Sequence, residues 1–118
     1  MAGPPAASVI GESGPVYRIR LRGFWTVEPL PDGTFRHRRS FGKPRTLDPH
    51  ERAYLIIDHL PTDATISLNG LTLSAGSAGQ AWSHDVTDQL QLRNEVAIVL
   101  TSAADLGDVA LGISERPA

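Results

Sequence analysis

From Tyr17 onward the dominant hydrophobic period along the chain is two. Tyr17, Ile19 and Leu21 alternate with Arg18, Arg20 and Arg22, as a strand with one buried and one wet face requires. The next run, "GFWTVEPL", carries Trp25 and Val27 and leads into Pro31-Asp32-Gly33, where a fixed φ followed by a permissive glycine supplies turn chemistry. "TFRHRRSF" predicts a polar, cationic strand. "RAYLIIDHL" is apolar on both faces, which predicts a central strand covered from both sides, with Tyr54 to Ile57 in the core. In "ATISLNGLTL", Ile66 and Leu68 alternate with Thr65 and Ser67, and Asn69-Gly70 is a dipeptide that accepts the positive φ of a tight hairpin turn. "DVTDQL" predicts a single helical turn, capped at its start by Asp85 and pointing Leu90 back to the core. Val96, Ile98 and Leu100 open a further strand, and Val109, Leu111 and Ile113 alternate through the last. Helix is nearly absent. About eight short strands with turn signals every 8–12 residues or so predict an all-β sandwich or jelly roll.

Composition fits one compact domain: 118 residues, 41% hydrophobic and 20% charged. The domain is expected over residues 16–118, after a Pro-, Gly-, Ala- and Ser-rich leader over residues 1–15, "MAGPPAASVIGESGP". A net charge of -2 argues against nucleic acid or a membrane surface as a partner held by bulk charge. Residues 1–52 hold nine of the eleven basic residues and five of the thirteen acids. Such a split suits complementary neighbouring strands better than a dedicated basic surface. With no cysteine, disulfide and thiolate chemistry are excluded. The leader lacks the basic and apolar regions of a signal peptide, and no run approaches the roughly 18 apolar residues of a membrane span. The expected compartment is the cytoplasm.

The order of these pieces carries a resemblance. "FRHRRSF", then "AYLIIDHLPTDATISLNGLTL", then "HDVTDQLQLRNEVAIVL" resembles the galactose-binding-like jelly-roll domain of β-galactosidases and β-glucuronidases, over about Trp25 to Leu100. The matching pieces are Phe41, Tyr54 to Ile57, Ile66 to Gly70, Asp85 to Thr87, and Asn94 to Ile98. The resemblance implies that Asn69, Gly70, Asp85, Thr87 and Asn94 are fold-forming. It also implies an architecture, a galactose-binding-like jelly-roll β-sandwich. Arg93 stands where the family usually has glycine. The loop "SAGSAGQAWS" contains no acid, although in some of the family's enzymes it carries a carboxylate that touches sugar or a cation. The family's glycosidases cut with paired glutamates on a separate barrel domain, which a chain of this length cannot hold. Catalysis is therefore not inherited.

The residues themselves point the same way. His37, His50, His59 and His84 are scattered singly, without a His-x-x-x-His pair, so neither a metal nor a cofactor is expected and the histidines read as surface or hydrogen-bonding groups. No nucleophile elbow and no phosphate-binding glycine loop is present. Asp85 weighs toward a turn cap, Asn69 toward a turn former and Trp25 toward a core plug. Trp82 lies in a Gly- and Ser-rich loop, where its ring would either stack on a sugar or fold inward over the sandwich end. Arg18, Arg20 and Arg22 line one strand face at roughly 7 Å spacing, suited to carboxylate, sulfate or phosphate. Arg36 and Arg38 would extend that face if the strands were neighbours. The plainer alternative is a solvated face paired with acids of the second half. Together these features predict a non-catalytic binding module, with carbohydrate met by end loops around Trp82 and His84. The alternative is a structural or interaction domain that uses a sheet face, such as the arginine stripe, against another protein or a second copy.

Overall fold

Alternation along "NEVAIVL" turns Asn94, Val96, Ile98 and Leu100 inward, and all four are buried while Glu95 between them is exposed. The same period organises the other strands of the structure, a computed structural model that describes residues 16–43 and 46–115. The expected leader, residues 1–15, lies outside the described residues. Nine strands form among those described: β1 (Val16–Arg20), β2 (Thr26–Pro29), β3 (Phe35–Gly42), β4 (Glu51–Ile57), β5 (Ala64–Leu68), β6 (Leu71–Gly76), β7 (Trp82–Asp85), β8 (Arg93–Leu100) and β9 (Val109–Glu115). They make a four-stranded sheet ordered β1-β9-β4-β7 and a five-stranded sheet ordered β2-β3-β8-β5-β6. Every pairing is antiparallel. The result is an all-β jelly-roll sandwich, and no described segment is helical or long and apolar enough to cross a membrane as a helix.

Leu55, Ile57 and Leu111 of one sheet meet Ile66, Leu68, Val96, Ile98 and Leu100 of the other, each at most 1% exposed. Leu60 and Leu106, from loops, join the same cluster. Strand β4 lies inside its sheet between β9 and β7, and Ala53 to Ile57 are all buried. Its second face is covered as its apolar run requires, with Tyr54 and Ile56 in a small separate cluster against Ala81.

Nine strands replace the eight or so expected, because Ser74 to Ser83, expected as loop, lies in β6 as far as Gly76 and in β7 from Trp82. Trp82 to Asp85 pair with Ile57 to Tyr54 as strand β7. The "DVTDQL" segment makes one turn, in which Gln89 and Leu90 donate backbone N–H groups to the Val86 carbonyl at 2.9 and 3.2 Å. Leu90 packs on the core. The Asn-Gly hairpin joins β5 to β6 with φ of 54° at Asn69 and 84° at Gly70, the left-handed pair that such a turn demands.

Candidate functional site

Trp82 opens strand β7 and is 6% exposed. Its Nε1 donates to Ser74 Oγ at 3.0 Å, and His84 stacks alongside at 5.9 Å between ring centroids. A ring enclosed this way has too little free face for sugar stacking. Of the two roles open to it, Trp82 therefore takes the inward one, closing the sandwich where β6 meets β7. His84 comes with it on the inward-facing side of β7, partly buried and opposite Leu55. The pair does not form an open loop site.

Two of the three arginines of the first-strand stripe are already paired. Arg18 donates to both carboxylate oxygens of Asp58 at 3.0 and 3.2 Å, and Arg20 to Asp108 at 3.3 Å. Both partners come from the acidic second half. Arg22 lies past the end of β1, and its carbonyl accepts from Arg39 at 3.1 Å. Arg36 and Arg38 do not extend this stripe, because β3 belongs to the other sheet.

The fold-forming residues gather around two turns. Asp85 Oδ1 accepts from the Thr87 N–H at 2.9 Å and from the Thr87 hydroxyl at 2.6 Å, while Oδ2 accepts from Arg52 at 2.9 Å. Burial alone would raise the Asp85 pKa, but the two Thr87 donors and the Arg52 guanidinium hold it below the usual aspartate value. Asn69 Nδ2 donates to Asn94 Oδ1 and to the Gln89 carbonyl, both at 3.1 Å, and Asn69 Oδ1 accepts from the Glu95 N–H at 2.8 Å. Asn94 in turn bonds both backbone groups of Gln91 at 2.8 Å. These side chains are fully committed to holding turns together.

The open chemistry lies on the outer face of the five-stranded sheet. Register places Thr26, Arg38, Ala97, Ser67 and Thr72 in one row across all five strands. The next row begins Glu28, Arg36, Val99 and Thr65. Small residues on the central strands and longer ones on β3 leave a trough. One groove of about 300 Å³ runs between Phe24, Thr26, Arg38, Ser40 and Glu95. A second, of about 330 Å³, shares Arg38 and Glu95 and continues toward Ser67 and Thr72.

Phe24 forms the rim and is 89% exposed. Gly23 and Phe24 both take positive φ, 67° and 60°, a conformation that costs a non-glycine residue about 1 kcal/mol or more. This corner sends the neighbouring Trp25 inward, where its Nε1 donates to the Leu21 carbonyl at 2.8 Å. Arg39 clamps the corner. Its guanidinium donates to the carbonyls of Gly23, Ser40 and Arg22 at 2.9, 3.1 and 3.1 Å, and lies over the Phe24 ring. Glu28 accepts from Arg36 at 3.3 Å and stands 3.8 Å from Arg38. One carboxylate thus serves two guanidiniums, which leaves the Arg38 fork with donors to offer.

Sequence reasoning passed over Phe24, and strand alternation could not have found it, because β2 begins only at Thr26 and the Gly23-Phe24 corner takes positive φ. The described residues contain no group of three or more His, Asp or Glu that could hold a metal ion.

No family model and no curated protein matches the sequence. Solved structures do match the fold. The FMN-binding β-glucuronidase of Facaelibacterium prausnitzii L2-6 superimposes with a TM-score of 0.68 and 22% identity, over 83% of this chain and 22% of its own. Bifidobacterium dentium β-glucuronidase, in complex with coumarin-3-O-glucuronide, gives 0.70 and 16%, over 85% of this chain and 30% of its own. The β-D-glucuronidase of Dictyoglomus thermophilum gives 0.72 and 10%, over 85% and 28%. This chain thus spans less than a third of those enzymes' length. At these identities the likeness is one of fold, a jelly-roll domain found inside glycosidase chains.

Proposed function

We infer that this chain is a non-catalytic carbohydrate-binding domain of the kind built into glycosidases, and that it binds on the outer face of the five-stranded sheet. The observation that carries the reading is Phe24, an aromatic ring held almost fully exposed in a strained backbone beside a trough of hydroxyls and ionic groups. An exposed ring offers a platform for the apolar face of a sugar. Arg38 supplies paired donors and Glu95 an acceptor, a combination suited to neighbouring sugar hydroxyls.

Charge narrows the ligand class. Arg36 and Arg38 are matched by Glu28 and Glu95, so with Arg39 the face balances to within one charge. Such a surface has no strong field to select a polyanion, and the ligand is a neutral saccharide. Glu28 acts as a counter-ion to two arginines, a structural task unlike that of a glycosidase acid. The fold's occurrence as a fraction of glycosidase chains supports an accessory role. The arginine face of the four-stranded sheet supports self-association less well, because Arg18 and Arg20 are paired within the chain.

Screening the chain and its Phe24→Ala variant on an array of neutral oligosaccharides tests the reading. Binding by the parent and loss in the variant are expected. An array that stays blank, or equal signals from both proteins, would remove it.

A further inference from the structure

A second recess lies on the opposite side of strands β2 and β3, against the loop between β8 and β9. It is an open recess of about 480 Å³ between Val27, Phe35, Ala103 and Ala104, with His37 and Asp105 as its polar members. That volume falls in the range of about 300–1,000 Å³ typical of small-molecule sites, and so does the recipe of apolar walls with few polar groups.

His37 is the unexpected member. Alternation along β3 places it on the inward face, opposite Ile98, at a position where an apolar side chain would serve packing better. Expected at the surface or in a hydrogen bond, it is instead 6% exposed. Among the described residues no group hydrogen-bonds its ring. No fully occluded polar side-chain atom lacks a partner, so the polar edge of His37 opens on the recess that it lines. Burial lowers its pKa, with Asp105 opposing the effect in part, so the ring is neutral near pH 7. Water can meet that edge in the open recess, and a ligand hydroxyl placed there would take over the same hydrogen bond.

We propose that this recess is a binding site for a small apolar ring bearing a hydroxyl group, seated between Phe35, Val27 and the Ala103-Ala104 loop, with the hydroxyl against His37. A neutral imidazole has one donor and one acceptor nitrogen, and a hydroxyl both donates and accepts. It therefore satisfies whichever nitrogen faces the recess, in either tautomer. Asp105 accepts only, which favours a hydroxyl hydrogen and disfavours a carboxylate ligand. Phe35 offers a ring against which a planar ligand stacks. The site is independent of the trough beside Phe24, which lies on the other face of the sheet.

Phenol and toluene are the probes, since they carry a hydroxyl and a methyl group of similar size at the same place on the same ring. Titrated separately into the full chain and followed by amide and imidazole NMR resonances, phenol should give saturable shifts at His37, Ala103, Ala104 and Asp105. Toluene should bind about three- to tenfold more weakly, the difference one net hydrogen bond makes. In His37→Leu that preference should vanish, and in Ala104→Phe, which fills the recess, both probes should be excluded. Equal binding of phenol and toluene by the parent chain, or no saturable shift at these residues, overturns the proposal whatever the variants do.

Discussion

The guanidinium of Arg39 lies 5.8 Å from the centroid of the Phe24 ring, and the same side chain ties down the corner that displays that ring. Cation–π attraction at an exposed site contributes roughly 0.5–1 kcal/mol, and the hydrogen bonds to three carbonyls add to it. The platform is thus positioned by a neighbour, because Phe24 itself buries almost nothing. Arg39→Ala should lower stability by only about 1 kcal/mol, yet increase the fast backbone motion of Gly23 and Phe24. Amide relaxation measurements would show this, and unchanged order at Phe24 would count against the clamp.

The Asn69–Asn94 contact joins the hairpin turn to the turn that precedes β8. Asn94 is 3% exposed, and its loss would leave both backbone groups of Gln91 and the Asn69 amide short of partners. Asn94→Ala should cost about 2–3 kcal/mol in urea unfolding. A cost within about 0.5 kcal/mol, typical of an ordinary surface site, would mean that this network is not what holds the two turns.

Gly76 ends β6 where the strand passes Leu60 and Trp82. A Cβ there would collide with the Leu60 side chain and stand 3.0 Å from Trp82 Cδ1. Both neighbours are buried, so neither moves freely. Gly76→Ala should destabilise the fold by about 1–3 kcal/mol and shift the Trp82 fluorescence. A neutral outcome would show that the packing at the β6–β7 edge is loose and that Trp82 is less firmly enclosed than its burial indicates.

Much of this architecture was legible because period two reports directly on burial. Val96, Ile98 and Leu100, the two-faced run of β4, the Asn69-Gly70 turn and the Asp85 turn each carry a local physical signal. Strand β7 has a weaker one, since Ser74 to Ser83 reads as a loop in which Trp82 either stacks on a sugar or folds inward. Only the pairing of Trp82 with Ile57 settles its direction. The placement of the arginines depended on topology. Whether Arg36 and Arg38 neighbour Arg18 turns on which sheet holds β3, and no local pattern encodes that. Phe24 and Trp25 are adjacent aromatics whose opposite fates follow from two consecutive positive φ angles.

Acid should weaken the fold in two separable stages. Burial lowers the His37 pKa below 6.5, so folding favours its neutral form. That contribution is complete above pH 6.5 and is lost as pH falls through the folded value. Asp85, held below 3.8 by Thr87 and Arg52 in spite of burial, has the same sign in a lower window. Its contribution is complete above 3.8 and disappears as pH falls further. Urea midpoints measured from about pH 8 to pH 3 should show the first decline vanish in His37→Gln and the second shrink in Asp85→Asn. A parent chain with flat stability down to pH 4 or so would contradict the His37 assignment.

The most direct measurement is a calorimetric and NMR titration of the chain with neutral gluco-, xylo-, manno- and galacto-oligosaccharides, alongside Phe24→Ala and Phe24→Asn. The asparagine variant tolerates positive φ, so it removes the ring without adding strain and should keep stability within about 1 kcal/mol of the parent. At least one saccharide should bind with a Kd of roughly micromolar to millimolar, as a shallow site allows. Its shifts should map to Phe24, Thr26, Ser40 and Glu95, and both variants should weaken it by about tenfold or more. Saccharide binding that survives unchanged in both variants, or that maps to Trp82 and His84, would contradict the account.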